Sequence, residues 1–593
     1  MRNMFLAVLI MVLGPGIVFH VCYGGQVETD KMNLVVTETS LGECVSGRGP
    51  SPDSRHIVYV QERDHKQVLV LDGVEGKEFN EIGGVQFSPD SMHIVYRAGL
   101  GTKKGYSTKW LVVLDGKEGK EYDEVSEICF SPSGTRLAYV AHYKRQQSWP
   151  ASSRGPAGTR TLTTYHVVLD GVEGKAYDKI GKLTFSRDGS HLAYSAERAG
   201  KCFVVLDGAE LPACGRVGNI QFSPNGKRIA YEARGLRDPK WHVVVDGKIG
   251  APYDKIREGT LSVTDKHFFY AIEYTDAQGV PKQHVVFDGV EGREYEVYHP
   301  GIMPCLSPGG RLAYIGWRGK KAVVVADGVE GKEYDYVDAF SLCFSPDGTR
   351  LAYCAKEGEE YCVVVNGVEG KHYDKIEGRP LLSPSGEHVV YAAKRDAKWV
   401  VVFDGSESQE YESLGYPWVF FSPDGNRFAF FATRGPKDRL VVVDGVADPK
   451  SQCEYAHNLV FDPTGKHLAY VAVREPKMLV VEDGLEGPSY DKIGEGSLYF
   501  SPDGKHLAYT AYTASPPLGS SPRPGKWHVV VDGLETGNYD SLVSIRVTGR
   551  EAVQYSNGKK PSWPVFDAAD HMYVLAVRNN EYVRVDIQII EKK

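Results

Sequence analysis

Residues Phe500–Tyr509 read FSPDGKHLAY, and the chain repeats this line in near-copies, among them FSPDGTRLAY (Phe344–Tyr353) and FSPNGKRIAY (Phe222–Tyr231). Each copy is a turn between two strands. Proline presets the backbone at the first central turn position, aspartate bonds nearby amides, and glycine takes the positive φ that closes the turn. The following HLAY alternates large and small residues with a period of two, as a half-buried strand does. The turn serine or its equivalent falls at Ser51, Ser88, Ser131, Ser186, Ser223, Ser262, Ser307, Ser345, Ser383, Ser422, Asp462 and Ser501, about 41 residues apart. A weaker thirteenth copy follows at Phe566–Val577. A period near 40 with four short strands per unit suits a propeller blade.

Within a unit, strand a ends at the Phe, strand b is the HLAYVA segment, and a variable polar loop leads to strand c, HVVV. Asp-Gly then signals a second tight hairpin, and KEYDKI is strand d. The Asp-Gly recurs in almost every copy, and Asn366 replaces the aspartate once. A turn tolerates that exchange, whereas a calcium ligand set resists losing a carboxylate. The strand-b tyrosine recurs from Tyr59 to Tyr573, with Phe430 as one substitute. Loss of a hydroxyl without other change points to packing between blades.

At 593 residues the chain exceeds one ordinary core. Its 42% hydrophobic and 25% charged residues are those of a globular protein, and a net charge of -8 argues against nucleic acid. The start reads as an export signal over residues 1–25: Arg2, the apolar run Met4–Phe19, then small residues at Cys22–Gly25. An uncleaved anchor is the alternative, and lipidation of Cys22 is disfavoured by Val21 before it. The expected location is periplasmic or secreted, with no membrane span once the signal is removed. Ten cysteines occur without metal-site spacing. Cys343 and Cys354 flank one hairpin turn and Cys202 and Cys214 another. Each pair is either a disulfide or two small buried apolar residues.

The line FSPDGKHLAY resembles the WD40-like, TolB-type (PD40) β-propeller repeat, also found in prolyl-oligopeptidase propellers and in oligogalacturonate lyase. The resemblance runs from about Ser51 to the end, while the VVVDGVEGKEYDKI half departs from the familiar version. It implies an all-β fold of tandem β-propellers, about 13 four-stranded blades of roughly 40 residues. Two rings are expected, over residues 26–300 and 301–593, joined near Tyr298–Pro304. The stretch Asn33–Ser40 stands ready to complete the last blade, and closing a ring removes its exposed edge.

No G-x-S-x-G or H-E-x-x-H occurs, and no hydrolase domain remains beside the blades. His191, His388, His467 and His506 occupy a strand-b position that is arginine in other copies, which reads as solvated rather than metal-binding. In a four-stranded blade the a–b and c–d turns share one face, and the b–c and d–a loops share the other. The c–d segments are acidic and the b–c loops basic. Arg234, Arg237, Lys240, Arg318, Lys320, Lys321, Lys394, Arg395 and Lys398, with Trp241, Trp317 and Trp399, are therefore the expected binding residues of the loop face. Solvated loop tips are the bland alternative. Three insertions, Tyr143–Tyr165, Tyr512–Trp527 and Arg546–Trp563, map to the same side. The sequence thus points to an exported scaffold without cofactor or catalysis, binding a protein or an anionic polysaccharide. A propeller polysaccharide lyase is the alternative.

Overall fold

The computed structural model describes residues 25–591 apart from 29–31, 44–48, 54, 104–105, 150–157, 237, 298–303, 416–418, 436–437, 448–452, 519–520 and 543–564. The signal segment with Cys22, and the insertion Arg546–Trp563, lie outside or almost outside that set. The described residues form thirteen antiparallel sheets and no helix. Twelve sheets are each one repeat, numbered here as blades 1 to 12. In blade 8, strand a is Tyr336–Val337 with Cys343–Phe344, and strand b is Leu351–Glu357. Strand c is Glu360–Val365 and strand d is Val368–Tyr373.

The turn chemistry is more tightly bonded than the sequence suggests. Gly348 and Gly504 sit at φ 75° and 77°, and the Gly348 N–H donates to the Ser345 carbonyl at 2.8 Å. The Ser345 side chain is buried; its hydroxyl donates to Asp347 and accepts from the Arg350 N–H at 2.9 Å. A buried hydroxyl satisfied on both sides carries no desolvation penalty. In blade 6 this role falls to Thr264 rather than Ser262: the turn is shorter, and the His267 N–H donates to Thr264 Oγ1 at 2.9 Å.

The Asp-Gly turns place both residues in the left-handed region, as in Asp72 (51°) and Gly73 (78°), the I′ geometry that matches strand twist. Asn366 adopts 50° in the same way. The turn aspartate has a second task. Asp72 accepts from the Ile57 N–H at 2.8 Å and bonds His56 Nδ1 at 2.6 Å, so the c–d turn is tied to the start of strand b. His191, His388, His467 and His506 make the same contact with Asp207, Asp404, Asp483 and Asp532 at 2.6–2.7 Å. The repeated histidines are therefore bonded clasp residues and not merely solvated. Arginine substitutes because its Nε reaches the same oxygen, as Arg311 does on Asp327 at 2.8 Å.

Between blades, the strand-b tyrosine packs edge-on against the strand-d tyrosine of the preceding blade. Tyr122 and Tyr139 meet at 6.1 Å and 69°, and Tyr411 with Phe430 at 5.6 Å and 83°. Phe430 keeps the geometry without its hydroxyl, as the repeat pattern implies. Burying each ring contributes about 2–3 kcal/mol. The glycine of each VEG segment makes room: a Cβ on Gly292 would stand 3.0 Å from the Val285 carbonyl and 3.1 Å from the Tyr314 hydroxyl.

Blade 13 is a composite. Its strands b and c are His571–Arg578 and Glu581–Glu591, and Met32–Glu43 from the start of the chain pairs with Glu581–Glu591 as strand d. Leu41, Ile57, Leu575, Val577 and Tyr582 then join blade 13 to blade 1. The sequence-expected joint at Tyr298–Pro304 lies almost wholly outside the described residues. On either side of it, blades 6 and 7 share one core through Phe269, Val285, Tyr295, Leu312, Tyr314 and Val323. The apolar clusters thus run in unbroken order around thirteen interfaces. An interface of blade 1 on blade 6, which a separate first ring needs, is not among the clusters of the described residues.

Candidate binding face

Strand d carries its charge from one face of the blade to the other. It begins at the Asp-Gly turn with a glutamate and ends beside the b–c loops with Tyr-Asp. The basic loop residues pair with these carboxylates at the surface of the same chain. Arg318 bonds Glu330 at 2.5 Å and Glu333 at 3.3 Å, and Lys321 bonds Asp335 at 2.7 Å. Arg395 bonds Glu407 at 3.2 Å and Lys398 lies 3.7 Å from Glu412. Lys240 bonds Asp254. Asp335 also accepts from the Gly358 N–H at 2.8 Å, so it ties the loop of one blade to that of the next.

The glutamate is shared as well. Tyr295 donates to Glu330 at 2.6 Å from the preceding blade, and Tyr373 donates to Glu407 at 2.9 Å. Tyrosine, glutamate and arginine therefore form a clasp across the junction, seen again as Tyr177, Glu210 and Arg198. At the seam, Tyr539 donates to Glu38 at 2.9 Å and Arg578 bonds the same carboxylate. Glu38 thus holds the strand-d position in blade 13.

Among the described residues, five of the expected loop cations, Lys240, Arg318, Lys321, Arg395 and Lys398, are thus paired to carboxylates rather than standing alone, which corrects the reading of these loops as an uncompensated basic set. The cause is the path of strand d, which sequence order alone assigns to the opposite face. Arg234 donates through Nε to the Pro239 carbonyl at 2.7 Å. Lys394 lies over the Trp399 ring at 5.6 Å. Lys320 is exposed and has no ion pair among the described residues. Arg237 lies outside the described set. Trp317 is a core residue, 6% exposed, in the interface of blades 7 and 8. Trp241 and Trp399 are half-buried against the cores of the next junctions. The end of strand b, at Trp317, and the start of strand c, at Trp241 and Trp399, are packing positions, so these rings do not form a stacking surface. The recurring Glu and Tyr-Asp partners escaped sequence reading, though their spacing of 12 and 14 residues from the basic loop residues is the signal that finds them.

The eight cysteines among the described residues are free thiols. Cys343 stands opposite Ala352, and Cys354 opposite Val363, so the register does not set Cys343 against Cys354. Cys202 and Cys214 stand directly opposite each other on strands c and d.

What distinguishes the loop face is relief. In blade 4 the b–c hairpin ends at the pair Arg198 and Lys201. In blade 3, Leu137–Trp149 and Gly158–Leu169 stay paired to Trp149 and Gly158, six residues further, or about 20 Å. The hairpins of blade 2 (Ile94–Lys103 with Tyr106–Leu114) and blade 12 (Leu507–Leu518 with Ser521–Val531) are prolonged as well. Lys144–Ser148 on the blade 3 hairpin are exposed.

The sheets and their series of junctions define a β-propeller. No family model matches the chain, and no curated protein matches it. Among solved structures it is similar to the propeller domain of the Trilobed protease from Pyrococcus furiosus, at 12% identity over 48% of this chain and 94% of that one, TM-score 0.22. It is similar to TolB from Acinetobacter baumannii at 11% identity over 45% and 78%, TM-score 0.18. It is also similar to the Dos1 propeller at 13% identity over 58% and 90%, TM-score 0.21. These likenesses are of fold alone.

Proposed function

We propose that the chain is an exported β-propeller scaffold that binds a protein or anionic polymer partner through its b–c loop face, without chemistry of its own. The observation that supports this reading is the set of prolonged hairpins on blades 12, 2 and 3. Across the seam these blades fall within one run of five, and their hairpins stand above loops whose charges are already paired. A rigid frame with long polar hairpins on one sector suits recognition, since loops carry function on scaffolds. Lys320 and the exposed Arg145 supply cations that have no ion pair among the described residues.

The test replaces residues 145–162 by Asn-Gly, which closes a two-residue hairpin between Lys144 and Thr163. Melting, capture of envelope proteins, and retention on immobilised polygalacturonate are then compared with the intact chain at 50 and 300 mM salt. Unchanged melting with lost capture or retention supports the reading. Unchanged capture and retention refutes it. Release of unsaturated sugars from polygalacturonate by the intact chain would install the lyase instead.

A further inference from the structure

Blade 4 departs from its neighbours at one place. In other blades a strand-c residue and the strand-d aromatic opposite it exchange two backbone hydrogen bonds, as Trp110 does with Tyr122, and Trp241 with Tyr253. In blade 4 both positions are cysteine. The Cys202 N–H donates to the Cys214 carbonyl at 2.9 Å and the Cys214 N–H to the Cys202 carbonyl at 2.8 Å. The junction beyond it has also lost its clasp. Cys214 stands where the donor tyrosine belongs, and Ile249, 68% exposed, stands where blade 5 should offer the glutamate. Cys453 marks the same strand-d position in blade 10, but opposite Arg439.

We propose that Cys202 and Cys214 form a reversible disulfide that staples strand c to strand d of blade 4, at a junction that lacks the tyrosine–glutamate clasp. Directly opposed residues that exchange both hydrogen bonds have Cα atoms about 5.5 Å apart, inside the range a disulfide spans. Both sulfurs lie over the same stretch of backbone: Cys202 Sγ is 3.4 Å from the Gly215 carbonyl, and Cys214 Sγ 3.4 Å from the Cys202 carbonyl. The oxidant is a disulfide of the glutathione or dithiol-oxidase class. The more exposed Cys202, as thiolate, attacks one of its sulfurs and expels a thiolate. Cys214, deprotonated, then attacks the mixed disulfide at Cys202, forming the internal S–S bond and releasing the second reduced sulfur. Two protons and two electrons leave the protein. Burial pushes the Cys214 thiol up to about 11, which suits the resolving rather than the attacking role. Cβ atoms in a hydrogen-bonded pair stand further apart than a relaxed disulfide prefers, so the bond pulls the strands inward and is more readily reduced than a relaxed one.

The experiment equilibrates the folded full chain with glutathione from fully reduced to fully oxidised, quenches with acid, and alkylates in denaturant. Cleavage after Lys201 and Arg216 leaves both cysteines on one peptide. The expected result is that this peptide passes from doubly alkylated to unalkylated with two fewer hydrogens, within the glutathione range, while Cys453 stays alkylated. Reductant should lower the melting temperature of the oxidised chain but not of Cys214→Ala. Double alkylation at every ratio, linkage of either cysteine elsewhere, glutathione adducts alone, or an equal melting response in the variant overturns the proposal.

Discussion

Glu38→Ala should loosen the seam between the two ends of the chain. Glu38 is 7% exposed, and its partner Tyr539 is fully buried, with its hydroxyl donating to Glu38 at 2.9 Å. Removing the carboxylate takes away the acceptor for that buried hydroxyl, which costs about 1–3 kcal/mol. The Arg578 side chain is 25% exposed and loses its ion pair to the same carboxylate, adding about 1 kcal/mol at most after solvent screening. The expected loss is about 1–4 kcal/mol. Glu75→Ala is the control. Glu75 occupies the matching position in blade 1, but among the described residues its ion pair is with Arg63 alone, and both side chains are about half exposed. Its removal should cost less than about 1 kcal/mol. Urea titration followed by tryptophan fluorescence gives the difference. Amide exchange over residues 32–43 and 581–591 locates it, because local opening is cheapest where anchoring is lost. Equal effects of the two substitutions, or loosening spread evenly over the blades, would refute Glu38 as the seam's strand-d anchor.

Gly348→Val puts a branched residue at φ 75°, with its Cβ 3.1 Å from the Ser307 side chain, and should cost about 1–3 kcal/mol by thermal melting. The Ser345 hydroxyl, followed by Thr349, holds the Asp347 carboxyl down to about 2, so the stability it contributes is present above the unfolded carboxylate value and lost as pH falls towards about 2. The melting difference between the native chain and Ser345→Ala should therefore shrink between pH 4 and 2, and a constant difference would sink the assignment. Lys321→Glu breaks an ion pair exposed by nearly half on both sides and should move stability by under about 1 kcal/mol, whereas Trp317→Ala should cost about 3–5 kcal/mol as a core deletion. Particle images by electron microscopy should show one ring of blades. Two discs joined near residue 300 are the outcome that the division expected from sequence predicts instead.

The repeat was legible because each blade rewrites the same local rules. Ser-Pro-Asp-Gly, Asp-Gly and the period-two strand name their turns and faces without tertiary help, and Phe430 and Asn366 show which atoms are dispensable. The charge of the loop face was not legible in the same way. Loop sequence assigns Arg318 and Arg395 to solvent, but their partners lie 12 residues later on a strand that crosses the blade. Trp317 and Trp399 misled for a related reason. Trp317 closes strand b and Trp399 opens strand c, both at positions where the side chain turns into the junction, and a tryptophan beside a basic loop looks the same in sequence whether it points in or out. The histidine–aspartate clasps were hidden because each aspartate already had a sufficient explanation as a turn residue.

The strand Met32–Glu43 is made first and paired last. Its partner Glu581–Glu591 lies some 540 residues away, as the separation of 541 between Ser40 and Glu581 shows, whereas the clasp of His56 to Asp72 spans 16. Bringing such distant ends together costs about 3 kcal/mol more in loop closure than the short contact does. Every other blade can complete itself as its own residues emerge, so the assembly waits with twelve finished sheets and one open seam. Until both ends arrive, the seam presents two unpaired strand edges of matching register. A second copy in the same state offers the same two edges, so crowded nascent chains should exchange ends and link into strand-swapped pairs, a failure that dilution during refolding relieves.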